Sequence, residues 1–280
     1  MREKLFKSIL MLCASMSIVS VIVMTVFILF QGIPFFESYN FFSFLSGKVW
    51  QPLNGIYGIL PFILGSMLVT IAAVLFALPV SLGCSLAMAE YAPRWLAGLI
   101  RPVIELLAGI PSVIYGFFGM MVIVPLLRSI LGGSGYSLLA ASIILGIMIL
   151  PTLVNISEDS LRAVPRDYRE ASLALGANKW QTIKYVVLPN AKSGIWAAII
   201  LGIGRAIGET MAVIMVAGNA TNIPGSILVP GRTLTGNIAL EMAYAAGMHQ
   251  KSLFATGITL FIFIIIINLV LAMRRKGVVQ

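Results

Sequence analysis

The chain of 280 residues has one histidine, two cysteines and ten carboxylates. His249 alone cannot build a multi-histidine metal site, and it reads as a surface residue in a loop. Cys13 and Cys84 lie in different apolar stretches and in no metal-ligand spacing, so they read as small buried apolar side chains. No Gly-x4-Gly-Lys-Ser/Thr loop is present, so this chain cannot cradle ATP in a Walker A site. No nucleophile and base converge on a plausible soluble segment, and no catalytic residue, metal or cofactor is expected in the chain itself. The net charge of +9 comes without a basic stripe or aromatic platform, which excludes the nucleic-acid reading.

What the sequence has in excess is hydrocarbon. Apolar residues make up 59% of it, charged residues 10%, and the mean hydropathy is +1.01. These values exclude an ordinary soluble domain. Charges punctuate the chain into uncharged runs at 8–36, 49–89, 106–127, 129–157, 210–231 and 252–273. A helix needs about 20 residues to cross the hydrocarbon layer. The spacing predicts six spans, near 8–30, 58–88, 103–127, 138–156, 194–217 and 252–273, in an all-α integral membrane protein. In the long second run, Asn54-Gly55 with Pro61 and Pro79 suggests a loop feeding one helix. The apolar run from Ile9 to Phe30 exceeds a signal-peptide core and no small-x-small cleavage site follows, so it reads as the first span.

Lysine and arginine set the orientation. One alternating side holds Arg2, Lys4, Lys7, Arg94, Arg101, Arg162, Arg166, Arg169, Lys179, Lys184, Lys192, Arg274, Arg275 and Lys276. The other holds Lys48, Arg128, Arg232 and Lys251. Fourteen against four predicts both termini and the 157–193 loop in the cytoplasm.

Within that loop, Glu170 to Pro189 (EASLALGANKWQTIKYVVLP) is a charged amphipathic island. Pro165 suits a first helical position, and Gly176 can end a helix in left-handed geometry. Asn178 with Gln181 resembles a capping box opening a second helix. Trp180, Ile183 and Val187 fall on one face of it, and Pro189 is expected to stop the run. Such an elbow beside a membrane suits docking.

Two charges stand where a bilayer disfavours them. Arg205 and Glu209, in GIGRAIGETMAV, fall inside the fifth predicted span. An unpaired Arg at mid-membrane costs at least about 2.5–3.5 kcal/mol, so a partner or a wet cavity is required. Glu209 is one helical turn on, which permits an intrahelical pair, although Arg before Glu is the weaker order. Intramembrane ionisable groups are read as functional by default, and a guanidinium fork matches phosphate or carboxylate oxygens. Glu209 would hold Arg205 between substrates, and Thr210 would add a hydroxyl donor. Gly204 and Gly208 permit close approach of a neighbouring helix, or serve simple packing. Glu105 reads as a surface partner of Arg101, and Pro111 implies a kinked third helix. Ser66 and Thr70 either face a polar path or back-bond to their own helix.

The pattern Glu-Ala-Ala, three residues, Gly, nine residues, Ile-x-Leu-Pro resembles the cytoplasmic loop of ABC-importer permeases. It stands here as Glu170-Ala171-Ser172, Gly176 and Val186-Val187-Leu188-Pro189, with Ser172 and Val186 as mild departures. The resemblance extends over roughly 57–275 through ELLAGIPSVIYG at 105–116, MILPTLVNISEDSLRAVPRDYREASLALGA at 148–177 and GRAIGETMAV at 204–213. These resemble phosphate-importer permeases of the Pst system, and with TLTGNIALEMAYAAG at 233–247 the PstC type more than PstA. The resemblance implies a type I ABC-importer permease fold, divided as 1–56 (first span and outer segment), 57–275 (permease core) and a 276–280 cytoplasmic tail. It implies Arg205 and Glu209 at a phosphate path, beside which Thr210 would stand as the hydroxyl donor, and Glu170, Ala171, Ser172, Gly176, Leu188 and Pro189 on a coupling surface for an ATPase. The partners implied are a PstA-like second permease, two ATPase subunits that use the ATP, and an external phosphate-binding protein landing on 31–57 and 218–251. Another oxyanion (sulfate, molybdate, phosphonate) or a membrane signalling scaffold are the alternatives.

Overall fold

The computed structural model describes residues 2–276. Six helical stretches are long and apolar enough to cross a membrane: Ile9–Phe36, Leu60–Tyr91, Ser112–Leu131, Leu138–Arg162, Lys179–Gly208 and Met248–Val270. The six expected spans are thus present, and the protein is a multi-pass, all-α membrane protein. The tail expected at 276–280 lies outside the described residues apart from Lys276.

Helix α1 (Arg2–Phe36) leads through the short α2 (Phe41–Ser46) into a hairpin of β1 (Trp50–Gln51) and β2 (Ile56–Tyr57). Gly55, at φ 71°, makes the left-handed turn between the strands. α3 (Leu60–Leu86) and α7 (Leu138–Arg162) pack along each other and form the centre with α10 (Leu188–Gly208). α7 is apolar on all sides and is enclosed along most of its length, as expected of a central helix. Its Leu145, Met148, Ile149 and Leu153 meet Val69, Ala73 and Ala77 of α3 and Ala198 of α10 in one core.

By contrast α1 runs along the edge, mostly uncovered by the rest of the chain, and meets α13 (Met248–Lys276). A Cβ on Gly32 would lie 2.6 Å from Ile258 Cδ1 and 3.0 Å from the Ala255 nitrogen, so the glycine sets how closely the two helices approach. On the side of the membrane opposite the 157–193 loop, Phe35, Phe44, Trp50, Tyr57, Phe62 and Leu253 form a second, aromatic core. It joins the first outer segment to the last span. Cys13 is exposed along α1 and Cys84 is half-buried, so the expectation of two buried thiols fails for Cys13.

The third and fifth spans depart from the expected boundaries. Residues 103–127 are not one helix. α4 (Arg94–Gly109) ends before Pro111, which sits in extended backbone with ψ 141°, and the span begins afresh with α5 (Ser112–Phe118) and α6 (Val124–Leu131). Proline disfavours helical geometry in the residue before it, here Ile110.

Among the described residues, five-residue π turns interrupt helices at Gly119–Ile123 and Ile183–Val187, and a third, Ala87–Tyr91, closes α3. Each stops two residues short of a proline, namely Pro93, Pro125 and Pro189. Proline lacks an N–H and its ring presses on the carbonyl four residues back. A widened turn carries that carbonyl aside, with Leu188 N donating to Ile183 O instead. Pro189 therefore does not stop the run as expected: helix continues from Lys179 to Gly208.

Candidate substrate path and coupling loop

The elbow at 163–189 forms two short helices, α8 (Arg166–Ala174) and α9 (Lys179–Thr182). Pro165 precedes the first helical position in extended backbone (ψ 144°), one residue earlier than expected. Gly176 adopts φ 85°, and its N–H donates to Leu173 O while Ala177 N donates to Ser172 O, closing α8. Both halves of the Asn178–Gln181 capping box form, at 2.9 and 2.8 Å. The hydroxyls of Ser172 and Thr182, 3.0 Å apart, staple the two helices.

Glu170, Ala171, Gly176 and Pro189 are exposed, and Ser172 and Leu188 are half-buried. Ile183 and Val187 are buried, but Trp180 is 57% exposed and faces away from them. Trp180 lies in the short α9, ahead of the π turn that holds Ile183 and Val187, and the expected single stripe does not form. With Leu173, Leu175 and Tyr185, also exposed, Trp180 leaves the elbow an uncovered apolar surface among charges.

The expected Arg205–Glu209 pair does not form. α10 ends at Gly208, Glu209 has extended backbone (ψ 134°), and a new helix, α11 (Met211–Val216), starts after Thr210. Glu209 Oε1 instead accepts the Ala212 N–H at 3.2 Å, and its carbonyl accepts the Thr235 hydroxyl at 3.0 Å. Thr235 belongs to α12 (Leu234–Glu241), which pins the break in place. The Thr210 hydroxyl donates to Gly208 O at 3.3 Å.

Arg205 is exposed in the last turn of α10, and its guanidinium has no partner among the described residues. A cation there suits the partial negative charge of a helix C-terminus. It lies thirteen positions beyond Lys192, about 20 Å along the helix, within the membrane-length stretch Lys179–Gly208. Added Cβ atoms at Gly204 and Gly208 would meet nothing within 4 Å, so no described residue packs closely against either glycine. The arrangement is a broken helix carrying one unpaired guanidinium on an open, small-residue face.

A family model described as "Binding-protein-dependent transport system inner membrane component" matches residues 80–277. The chain belongs to that family. It is 40% identical over 275 residues to the "Probable ABC transporter permease protein YqgH" of Bacillus subtilis, covering 94% of this chain and 89% of that protein. It is 35% identical over 254 residues to the "Phosphate transport system permease protein PstC" of Pasteurella multocida, covering 84% of this chain and 78% of that one. The chain is thus an ABC-importer permease of the PstC type. Its fold is similar to that of the MetNI methionine ABC transporter in an inward-facing conformation, with a TM-score of 0.64 over 83% of this chain and all of that one at 19% identity. Family and fold are those of transporter membrane subunits.

The permease also carries polar clusters that sequence reading missed. Glu241 accepts Arg232 Nη1 at 2.5 Å on Oε1, and Trp50 Nε1 at 2.8 Å on Oε2, with His249 Nε2 also 2.8 Å from Oε2. His249 is therefore mostly enclosed and not the surface residue expected. Arg232 further donates to Asn237 Oδ1 and the Asn219 carbonyl. Ser66 does not back-bond but accepts Leu234 N at 3.0 Å, while Thr70 lines an apolar groove with Ile203 and Phe263.

On the loop side, Glu158 is enclosed and accepts Arg101 Nη2 and Arg162 Nε, both at 2.7 Å on Oε1. Its hydrogen bond and then its charge raise the Arg101 pKa further. Glu105, the expected partner of Arg101, is exposed. Such long-range pairs join residues 57 and 191 positions apart, and no local spacing announces them.

Proposed function

We propose that this chain is one half of the membrane channel of an ATP-driven importer that carries inorganic phosphate into the cytoplasm. The observation that carries the reading is Arg205: an unpartnered guanidinium on an open face of a broken span. A lone cation held among lipid tails would be costly, so that face must line a polar path or meet a polar partner. Its planar donors suit a tetrahedral oxyanion. The phosphate assignment draws on similarity to proteins named as phosphate permeases.

In this reading Arg205, Glu209 and Thr210 border the path, and a PstA-like second permease packs on the Gly204–Gly208 face to complete it. The elbow bearing Glu170, Ala171, Ser172, Gly176, Leu188 and Pro189 docks one of two ATPase subunits, which use the ATP, and its uncovered Leu173, Leu175 and Trp180 suit burial there. Both termini and this loop face the cytoplasm, in keeping with the lysine and arginine distribution. The outer segments at 31–57 and 218–251 receive a phosphate-binding protein. Closure of the ATPase pulls the elbow and tilts the spans, so the path opens alternately to each side.

Labelled-phosphate uptake tests this in cells lacking the chain and complemented with wild type or Arg205→Ala, with unlabelled sulfate and molybdate as competitors. Uptake restored by wild type, resistant to both competitors and lost in a well-assembled Arg205→Ala complex supports the reading. Properly inserted wild type that restores no phosphate uptake overturns the substrate. Arg205→Ala that fails to assemble assigns Arg205 to structure instead.

A further inference from the structure

The π turn Ala87–Tyr91, at the loop-side end of α3, is held by three cationic side chains from different parts of the 157–193 region. Arg162, at the end of α7, donates from Nη2 to the Met88 carbonyl at 2.9 Å. Arg169, in α8, donates from Nη2 and Nε to Glu90 Oε1 at 2.9 and 3.2 Å. Lys179, opening α9, places Nζ 4.5 Å from the centre of the Tyr91 ring. Neighbouring residues of one turn thus each meet a cation from a different helix.

Arg169 is the tightest of the three. Besides Glu90 it donates to the Leu161 carbonyl at 2.8 Å and to the Val164 carbonyl, filling acceptors that the end of α7 leaves open. The Arg169 and Glu90 side chains are only 20% and 10% exposed. Separating a largely enclosed pair strands a charge, so this contact resists being pulled apart.

The other end of α3 is anchored as firmly. Ser66 Oγ accepts Leu234 N, and a Cβ on Gly65 would lie 2.3 Å from the Arg232 carbonyl oxygen. Residues 232–234 lead directly into the Arg232–Glu241–His249–Trp50 cluster of the outer side. From Ser66 to Glu90 is 24 residues, about 36 Å of helix, which spans the membrane.

We propose that α3 is the rod that links the coupling elbow to the outer cap, with Glu90–Arg169 as its inner joint. Displacement of α8 reaches Glu90 as a push or pull on α3. The joint falls on a π turn, a local departure from regular helix that is frequent at functional sites. The rod then moves the outer segment through Ser66 and Gly65. Coupling between sites is reciprocal, so a protein landing on the outer segment acts back on the ATPase along the same helix. The inference rests on the elbow being the ATPase docking surface. Glu90 and Arg169 are positioning residues that touch no substrate.

The test uses the full complex in lipid nanodiscs with its ATPase and binding protein, reading ATP hydrolysis with and without phosphate-loaded binding protein, and uptake in vesicles. Glu90→Gln keeps the side-chain shape and removes the charge. Expected are an assembled complex with residual basal hydrolysis, and an about tenfold loss of both stimulation and uptake. Arg169→Gln gives the same pattern, and the exchange Glu90→Arg with Arg169→Glu regains a substantial part of both. Single variants with wild-type stimulation and uptake overturn the joint. So does a Glu90→Gln defect confined to assembly, with normal stimulation in whatever complex forms. The wild-type complex separates the readings: stimulation by sulfate- or molybdate-loaded binding protein alone would displace phosphate as substrate and leave the Glu90 comparison to be made with that ligand. A wild-type chain that recruits no ATPase would remove the docking surface and the joint together.

Discussion

Arg232 and Glu241, nine residues apart on the outer side, form an ion pair that is almost closed off from solvent, with side chains 13% and 8% exposed. The same carboxylate also holds Trp50 and His249, so one side chain ties the hairpin, α12 and the start of α13 together. Removing one partner of such a pair leaves an enclosed charge without compensation. Glu241→Ala is expected to destabilise the protein by about 3 kcal/mol. Thermal unfolding of the purified complex in detergent checks this, and a midpoint equal to wild type would refute it.

The loop side offers a paired comparison. Glu158 neutralises both Arg101 and Arg162, whereas each arginine is nearly half exposed. Glu158→Ala strands no enclosed charge but removes both charge-assisted hydrogen bonds, and should cost about 2 kcal/mol. Arg101→Ala should cost no more than about 1 kcal/mol, because Arg162 still satisfies the carboxylate. Equal losses in denaturant unfolding would show that the two contacts are not asymmetric.

Glycines at close and open positions should behave oppositely. Gly65→Ala forces a methyl group to within 2.3 Å of the Arg232 carbonyl oxygen and should cost about 1–3 kcal/mol in stability. Gly204→Ala adds a methyl group that meets nothing within 4 Å among the described residues and should leave the chain's own fold stable. If a second permease packs there as proposed, that change weakens assembly alone. Co-purification of the partner, set beside the melting temperature, separates the two effects.

Glu209→Gln retains an oxygen that can accept the Ala212 N–H, and no ion pair is lost within the chain. Stability should stay within about 0.5 kcal/mol of wild type. Phosphate uptake should fall if Glu209 borders the path. A large fall in stability would instead reinstate a structural pairing with Arg205.

In the elbow, Gly176 sits at φ 85° and Asn178 caps α9. Gly176→Ala and Asn178→Ala should each cost about 1–2 kcal/mol locally. Faster proteolysis of the exposed loop in either variant, with the spans intact, is the expected readout.

Much of this protein is local, and the sequence by itself determined it. Five of the six uncharged runs carry spans because a bilayer demands about 20 apolar residues for each crossing, whereas 210–231 forms only the short α11 and a loop, and the fifth span, Lys179–Gly208, lies before it. Gly176 and the Asn178–Gln181 box end and begin helices because left-handed backbone and side-chain capping act within a few residues.

The expectations that failed were also local readings, overridden at the breaks. Pro189 was expected to end a helix, but a π turn absorbs it. Arg205 and Glu209 were expected one turn apart on one helix, but the helix ends between them, where Thr235 from α12 holds the Glu209 carbonyl. Only the tertiary structure decided these outcomes, and it alone brought Glu241 to Trp50, Glu158 to Arg101 and Glu90 to Arg169. Enclosed polar groups must find partners wherever the packed helices bring them. That requirement selects pairs by position in space, and spacing along the chain carries no trace of it.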